Sequence, residues 1–191
     1  MAFFFPEGSS QQFSQTFASA KTITAVSNAN PAVATSVAHG FTTGDEILLA
    51  SGWEDATDSV FKVTVLSADT FSISGLDTSN TNFFPAGTGI GTAQKISGWT
   101  AIPQVLTISA SGGDARFTDV NLLSKRNGIK IPTGFNATSV TLSLAHDASQ
   151  SGYVTMLGIS RNLSKVAFKQ VISGGSVTYG YGYLSVSEMP K

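Results

Sequence analysis

From Lys21 onward, apolar side chains recur at every second position in short runs, and the runs are separated by breaks rich in Gly, Asn, Asp and Ser. Strict alternation over a few residues marks a half-buried strand, and turn-like breaks every roughly 8–12 residues mark a sandwich or barrel. The pattern predicts strands at about 21–27, 32–38, 45–51, 60–67, 70–75, 91–97, 103–110, 116–122, 127–131, 138–145, 164–173 and 176–187. Phe61, Val63 and Val65 fall on one face while Lys62 and Thr64 fall on the other. Val140, Leu142 and Leu144 oppose Thr141 and Ser143 in the same way. Ser67-Ala68-Asp69 joins two runs as a tight hairpin, and Gly174-Gly175 joins two longer ones.

Two stretches break the pattern. Asp147 followed by Gln150 has the spacing of a capping box, and Tyr153, Met156, Leu157 and Ser160 follow at helical spacing. One short helix is expected over 148–160, although Gly152 and Gly158 weaken it. Residues 1–20 place Phe3, Phe4, Phe5, Phe13 and Phe17 among Ser, Gln, Thr and Ala with neither a strand nor a helix period. They read as a terminal arm, either folded back on its own body or docking its aromatic rings on a neighbouring subunit. The domain reading is therefore an arm over 1–20 and a single β-rich domain over 21–191, with a small β module at about 32–98.

Composition changes this picture in one respect. Only 12% of the 191 residues are charged, about half the usual ~25%. A free monomer normally keeps itself soluble with mixed surface charge, so much of this surface is expected to be covered. The net charge of −1 hides an uneven split, −5 over residues 1–98 and +4 over 99–191. Either two solvated faces differ, or an acidic surface on one copy meets a basic surface on the next, as head-to-tail association requires. The near-neutral balance argues against a bulk electrostatic grip on nucleic acid. The opening M-A-F-F-F-P-E-G-S-S lacks a basic n-region, and no apolar run approaches a bilayer span. The expectation is a cytoplasmic, unlipidated chain with no membrane partner.

Reactive chemistry finds little support. There is no cysteine, which excludes disulfides, thiolate metal sites and thiol nucleophiles. The two histidines, His39 in a turn and His146 at a strand end, accompany no Gly-x-Ser-x-Gly elbow. Glu54, Asp55 and Asp58 lack the alternating oxygens and central glycine of a calcium loop and read as solvated. The run Ala86-Gly87-Thr88-Gly89-Ile90-Gly91-Thr92 has the wrong spacing for a phosphate loop, no Lys-Ser/Thr after it, and a strand–strand context. No enzyme activity, cofactor or metal is expected. The chain offers interaction surface rather than reactive groups.

Two stretches carry a resemblance. Ser36-Val37-Ala38-His39-Gly40-Phe41-Thr42-Thr43-Gly44-Asp45-Glu46, followed by the hairpin Phe61-Lys62-Val63-Thr64-Val65 through Asp69-Thr70-Phe71, resembles a small β module that recurs in bacteriophage tail proteins. The strand Val140–Leu144, the helix after Asp147, and the hairpin carrying Phe168 and Gly174-Gly175-Ser176-Val177-Thr178-Tyr179-Gly180-Tyr181 resemble the closing elements of the tail tube (major tail) proteins of long-tailed phages. The resemblance implies a structural virion protein made in the host cytoplasm and incorporated in the phage tail. It implies homohexameric rings stacked head-to-tail into a hollow tube, with hairpins from each subunit forming an inter-subunit barrel. The implied partners are the chain itself, a tape-measure protein in the lumen, and tail terminator and distal tail proteins. Phage DNA would pass through during genome ejection without specific binding.

Three self-assembly regions follow as expectations. Phe3, Phe4 and Phe5 would anchor an arm on an adjacent subunit. Glu54, Asp55 and Asp58 would pair with Lys125, Arg126 and Lys130 across the stack. Strands holding Lys165, Lys169, Tyr179 and Tyr181 would contribute to the barrel. The competing readings are another baseplate, fibre or decoration component carrying the same module, or a carbohydrate-binding adhesion module stacking sugars on Trp53, Trp99, Tyr179, Tyr181 and Tyr183.

Overall fold

A computed structural model describes residues 8–145, 147, 149–173 and 175–187. Strand accounts for 46% of the chain and helix for 6%, and the strands form several sheets, none of which closes into a barrel within the chain. The chain packs as two compact units, one drawn from Met1–Ile102 and Ala148–Lys191, the other from Pro103–Asp147.

In the first unit, β1 (Ser10–Ser14), β2 (Thr16–Phe17), β3 (Lys21–Ile23), β4 (Ala25–Val26), β5 (Ala32–Thr35), β6 (Glu46–Ser51), β7 (Ser59–Val65), β8 (Thr70–Ile73) and β9 (Gly91–Ser97) precede β10 (Thr100–Ala101). Eight of them make one sheet in the order β2-β9-β6-β7-β8-β5-β4, with β3 also on β9. Residues 21–26 thus pair with β9 through β3 and with β5 through β4, which curls the sheet around its core. That core holds Ile23, Ile47, Leu49, Trp53, Val63, Phe71 and Ile73, all fully buried or nearly so. Alternation explains most of it, since Ile47 and Leu49 point inward from β6 while Leu48 points to the opposite face.

Two glycines in the expected Gly-rich turn permit close approaches. A side chain at Gly89 would overlap the Trp53 ring, and one at Gly91 would overlap the carbonyl of Ala50 on β6. His39 is buried between Phe41 and Phe71, with ring centroids 5.2 Å from each. Its Nδ1 accepts from the Phe41 N–H at 2.9 Å, and Nε2 lies 3.1 Å from the Ser67 carbonyl. An imidazole placed so that Nδ1 must accept and Nε2 can donate is a neutral turn-builder.

After the second unit come α1 (Ser151–Arg161), β15 (Lys165–Val171) and β16 (Val177–Tyr183), the last two pairing as a hairpin. The helix begins later than expected, with Gln150 at its N-cap and no side-chain cap, so Asp147 and Gln150 do not form the capping box that their spacing suggests. Gly152, Met156 and Ile159 form its buried face at positions i, i+4 and i+7. A second sheet runs in the order β10-β1-β15-β16. Here residues 10–17, part of the expected arm, are found as strands, with Gln11, Phe13 and Ser14 buried.

The second unit contains β11 (Val105–Ser111), β12 (Ala115–Val120), β13 (Ile129–Phe135) and β14 (Ser139–Leu144). They form two separate two-stranded ribbons, β11–β14 and β12–β13. None of its described residues is buried.

Candidate self-assembly site

The β15–β16 hairpin is built by a simple sequence device. In Tyr179-Gly180-Tyr181-Gly182-Tyr183 every second residue is aromatic, so the three rings share one face. Register sets Lys165 opposite Tyr183, Ala167 opposite Tyr181 and Lys169 opposite Tyr179 on that face. The face lies against the outer side of the eight-stranded sheet, where Leu48, Val60, Ile96 and Ala167 are buried with Phe17, Trp99, Tyr179 and Tyr181 packed around them.

Each lysine on this face is matched by a carboxylate. The Lys169 ammonium contacts both oxygens of Glu46, at 3.1 and 3.3 Å, and sits 4.4 Å above the centre of the Trp99 ring. The side chains of Lys169 and Glu46 each retain 15% exposure. The Tyr179 hydroxyl donates to Glu46 at 2.7 Å. Burial, and then the hydrogen bond and charge of Glu46, push the Tyr179 phenol well above its ordinary value, so it remains a donor. Lys165 pairs with Asp58 at 2.7 Å and lies over the rings of Tyr181 and Tyr183. That pair is more exposed and locates the hairpin more than it stabilises it. Burial also raises Tyr181, with the charge of Asp58 adding to it.

A third pair, Asp45–Lys95 at 2.7 Å, ties neighbouring parts of the same sheet. Burial works against the Asp45 carboxylate. The hydrogen bonds from Lys95 and from the Thr42 backbone outweigh it and hold the group below its ordinary value of 3.8. A depressed carboxyl contributes stability above its unfolded value and loses it as pH falls through the folded one. Asp45→Asn should therefore lower the melting temperature at neutral pH, and the gap to the parent chain should narrow as pH drops below about 4. A constant gap from pH 7 to pH 3 would contradict this.

The expected site residues are thus distributed as follows. Phe3, Phe4 and Phe5 lie outside the described residues, as does His146. Glu54 and Asp55 are exposed, while Asp58 is engaged with Lys165 in its own chain. Lys125 and Arg126 lie in the exposed connection between β12 and β13, and Lys130 stands across from Asp119 in that ribbon. The structure joins Lys165, Lys169, Tyr179 and Tyr181 on one face, but their side chains serve contacts within the chain. Glu46 and Trp99, the centre of that cluster, were not among the expected site residues. Their signal is the apolar run Ile47-Leu48-Leu49, continuous rather than alternating, which marks a strand covered on both faces.

The aromatic residues do not assemble a sugar-stacking platform. Trp53 is buried, with its Nε1–H donating to the Pro85 carbonyl and the Thr88 hydroxyl at 2.9 Å each, and Trp99 is covered by Lys169. Among the described residues, no three His, Asp or Glu side chains gather as metal ligands. No helix among them is long and apolar enough to cross a membrane.

These features define a β-rich structural protein whose titratable groups hold sheets together. The chain belongs to the phage tail tube protein family, whose model matches residues 51–191. The match spans both ribbons of the second unit, the helix and the closing hairpin. Comparison with curated proteins finds no match. Membership makes this a structural protein of the phage tail that self-assembles into a tube with other tail proteins.

Proposed function

We propose that this chain is the repeating subunit of the tail tube, forming homohexameric rings that stack head-to-tail around a channel through which the genome is ejected. The observation that carries this reading is the family match over residues 51–191. The low charge content supports it, because surface hidden in an assembly needs few solvating charges. The open outer edge of β16 offers a backbone to an inter-subunit barrel, although the hairpin's Lys169 and Tyr179 are held within the chain. Rings are joined by exposed Glu54 and Asp55 meeting Lys125, Arg126 and Lys130 of the next copy, and by the aromatic arm Phe3–Phe5. A tape-measure protein fills the lumen during assembly, and terminator and distal tail proteins close its ends. DNA passes without specific binding, which suits a nearly neutral chain.

Electron microscopy of the purified protein tests the reading: tubes or stacked six-membered rings are expected. Monomers or discrete closed oligomers would instead favour another tail component or an adhesion module. Reversing the acidic loop with Glu54→Lys and Asp55→Lys should shorten or abolish stacks at low salt, with a smaller effect at high salt where the parent's pairing is screened. Unchanged stacks at low salt would remove the charge-pairing claim.

A further inference from the structure

The second unit is unusual within this molecule. It has no buried residue among those described, yet it exposes Leu106, Ile108, Phe117, Leu123, Phe135 and Val140. Two-stranded ribbons are at best marginally stable alone in water, and large exposed apolar surface marks an interaction site. The two ribbons differ in how they treat their edges. In β12–β13, Arg116, Asp119, Lys130 and Pro132 are of the types that discourage further strand pairing. In β11–β14 there is neither a charge nor a proline.

That unguarded ribbon is also sorted by face. Register places Ile108 opposite Leu142 and Ala110 opposite Val140, giving one apolar side. Thr107 opposite Ser143, Ser109 opposite Thr141 and Ser111 opposite Ser139 give a side made only of hydroxyls. The last pair is hydrogen-bonded at 2.8 Å. The hydroxyl side can remain in water. The apolar side and the free backbone edges need a partner.

We infer that β11 of one copy pairs edge-to-edge with β14 of the next, extending the ribbon into a sheet shared between subunits. This deepens the tube reading and rests on it. Every copy carries one free β11 edge and one free β14 edge, so a second copy supplies the complementary edge that an unrelated partner would have to provide separately. Pairing β11 with β14 is heterologous, the kind of contact that closes into rings, whereas β11 with β11 would stop at a dimer. Antiparallel addition in matching register keeps apolar beside apolar and hydroxyl beside hydroxyl along the whole sheet. Uncharged edges, a liability in a monomer, then become the contact itself.

The absence of cysteine makes a clean test possible. Single variants on β11 (Thr107→Cys, Ser109→Cys, Ser111→Cys) and on β14 (Ser139→Cys, Thr141→Cys, Ser143→Cys) are assembled singly and in every β11-with-β14 mixture, then oxidised. Facing residues on paired strands lie within disulfide reach. Disulfide-linked dimers are expected in mixtures of matching register and in neither variant alone. Dimers from a β11 variant alone would overturn the heterologous pairing. No dimers from any mixture, with tubes still visible by microscopy, would overturn the inference while leaving the tube reading intact. Dimers without tubes would support the edge pairing and count against the tube. Neither dimers nor tubes would refute both.

Discussion

Glu46→Ala should loosen the closing hairpin from the eight-stranded sheet. The substitution leaves the Lys169 ammonium between Trp99 and the sheet without its carboxylate, and it strips the acceptor from the Tyr179 hydroxyl. Removing one partner of a buried ion pair is costly because the remaining charge stays desolvated, and here, with some exposure remaining, the expected loss is about 2–4 kcal/mol. Lys169→Met combined with Glu46→Leu removes both charges and should recover much of that loss, since an apolar pair keeps the packing without the orphan. Chemical denaturation of the single and double variants measures both. A single variant within about 0.5 kcal/mol of the parent would show that the cluster contributes little, as most surface pairs do.

Trp53→Ala should cost about 3–5 kcal/mol, the range for deleting a large buried aromatic side chain. The indole packs edge-on to Phe84, and its Nε1–H reaches the Pro85 carbonyl and the Thr88 hydroxyl. Gly89 runs so close to the ring that no larger residue fits there. Trp53→Phe separates the two contributions, keeping much of the packing and losing the donor, at about 1–2 kcal/mol. Equal losses in the two variants would mean that the hydrogen bonds, rather than the ring's volume, hold the 80–90 loop in place. Thermal unfolding followed by near-ultraviolet dichroism gives the comparison.

The sequence was most legible where one face of a strand was covered and the other wet. β6 to β9 match the alternating runs closely because Ile47, Leu49, Val63, Phe71 and Ile73 interleave with polar residues. β1 escaped notice because its buried positions include Gln11 and Ser14 beside Phe13, so no apolar period appears. The division at Pro103 was equally hidden. β11 and β14 alternate as well as any strand of the first unit, and alternation records which faces differ, not whether anything covers them.

For the site, the lysines of β15 invite reading as a basic surface. Their meaning depends on Glu46 and Asp58, far away in sequence, and only the tertiary register brings those groups together. The Tyr-Gly-Tyr-Gly-Tyr alternation was the available clue. It puts every ring on one side, and three aromatic rings on one side of a strand seldom face bulk water.

The position of β1 carries a consequence for how the subunit is made. It lies between β10 and β15 in its sheet, with Ser10 beside Val171 and Ser14 beside Ala167. The sequence between β1 and β10 builds the curled sheet with a core of its own, so on the ribosome that part can fold while the rest is still being translated. The sheet containing β1 cannot. Its central pairing waits for residues 165–171 to leave the exit tunnel, and contacts between such distant segments form slowly. A chain interrupted before β15 would have a folded module and an unfinished body, and could not be mistaken for a subunit ready to join a growing polymer. The topology thus acts as a completeness check, delaying polymerisation until synthesis has reached the closing hairpin.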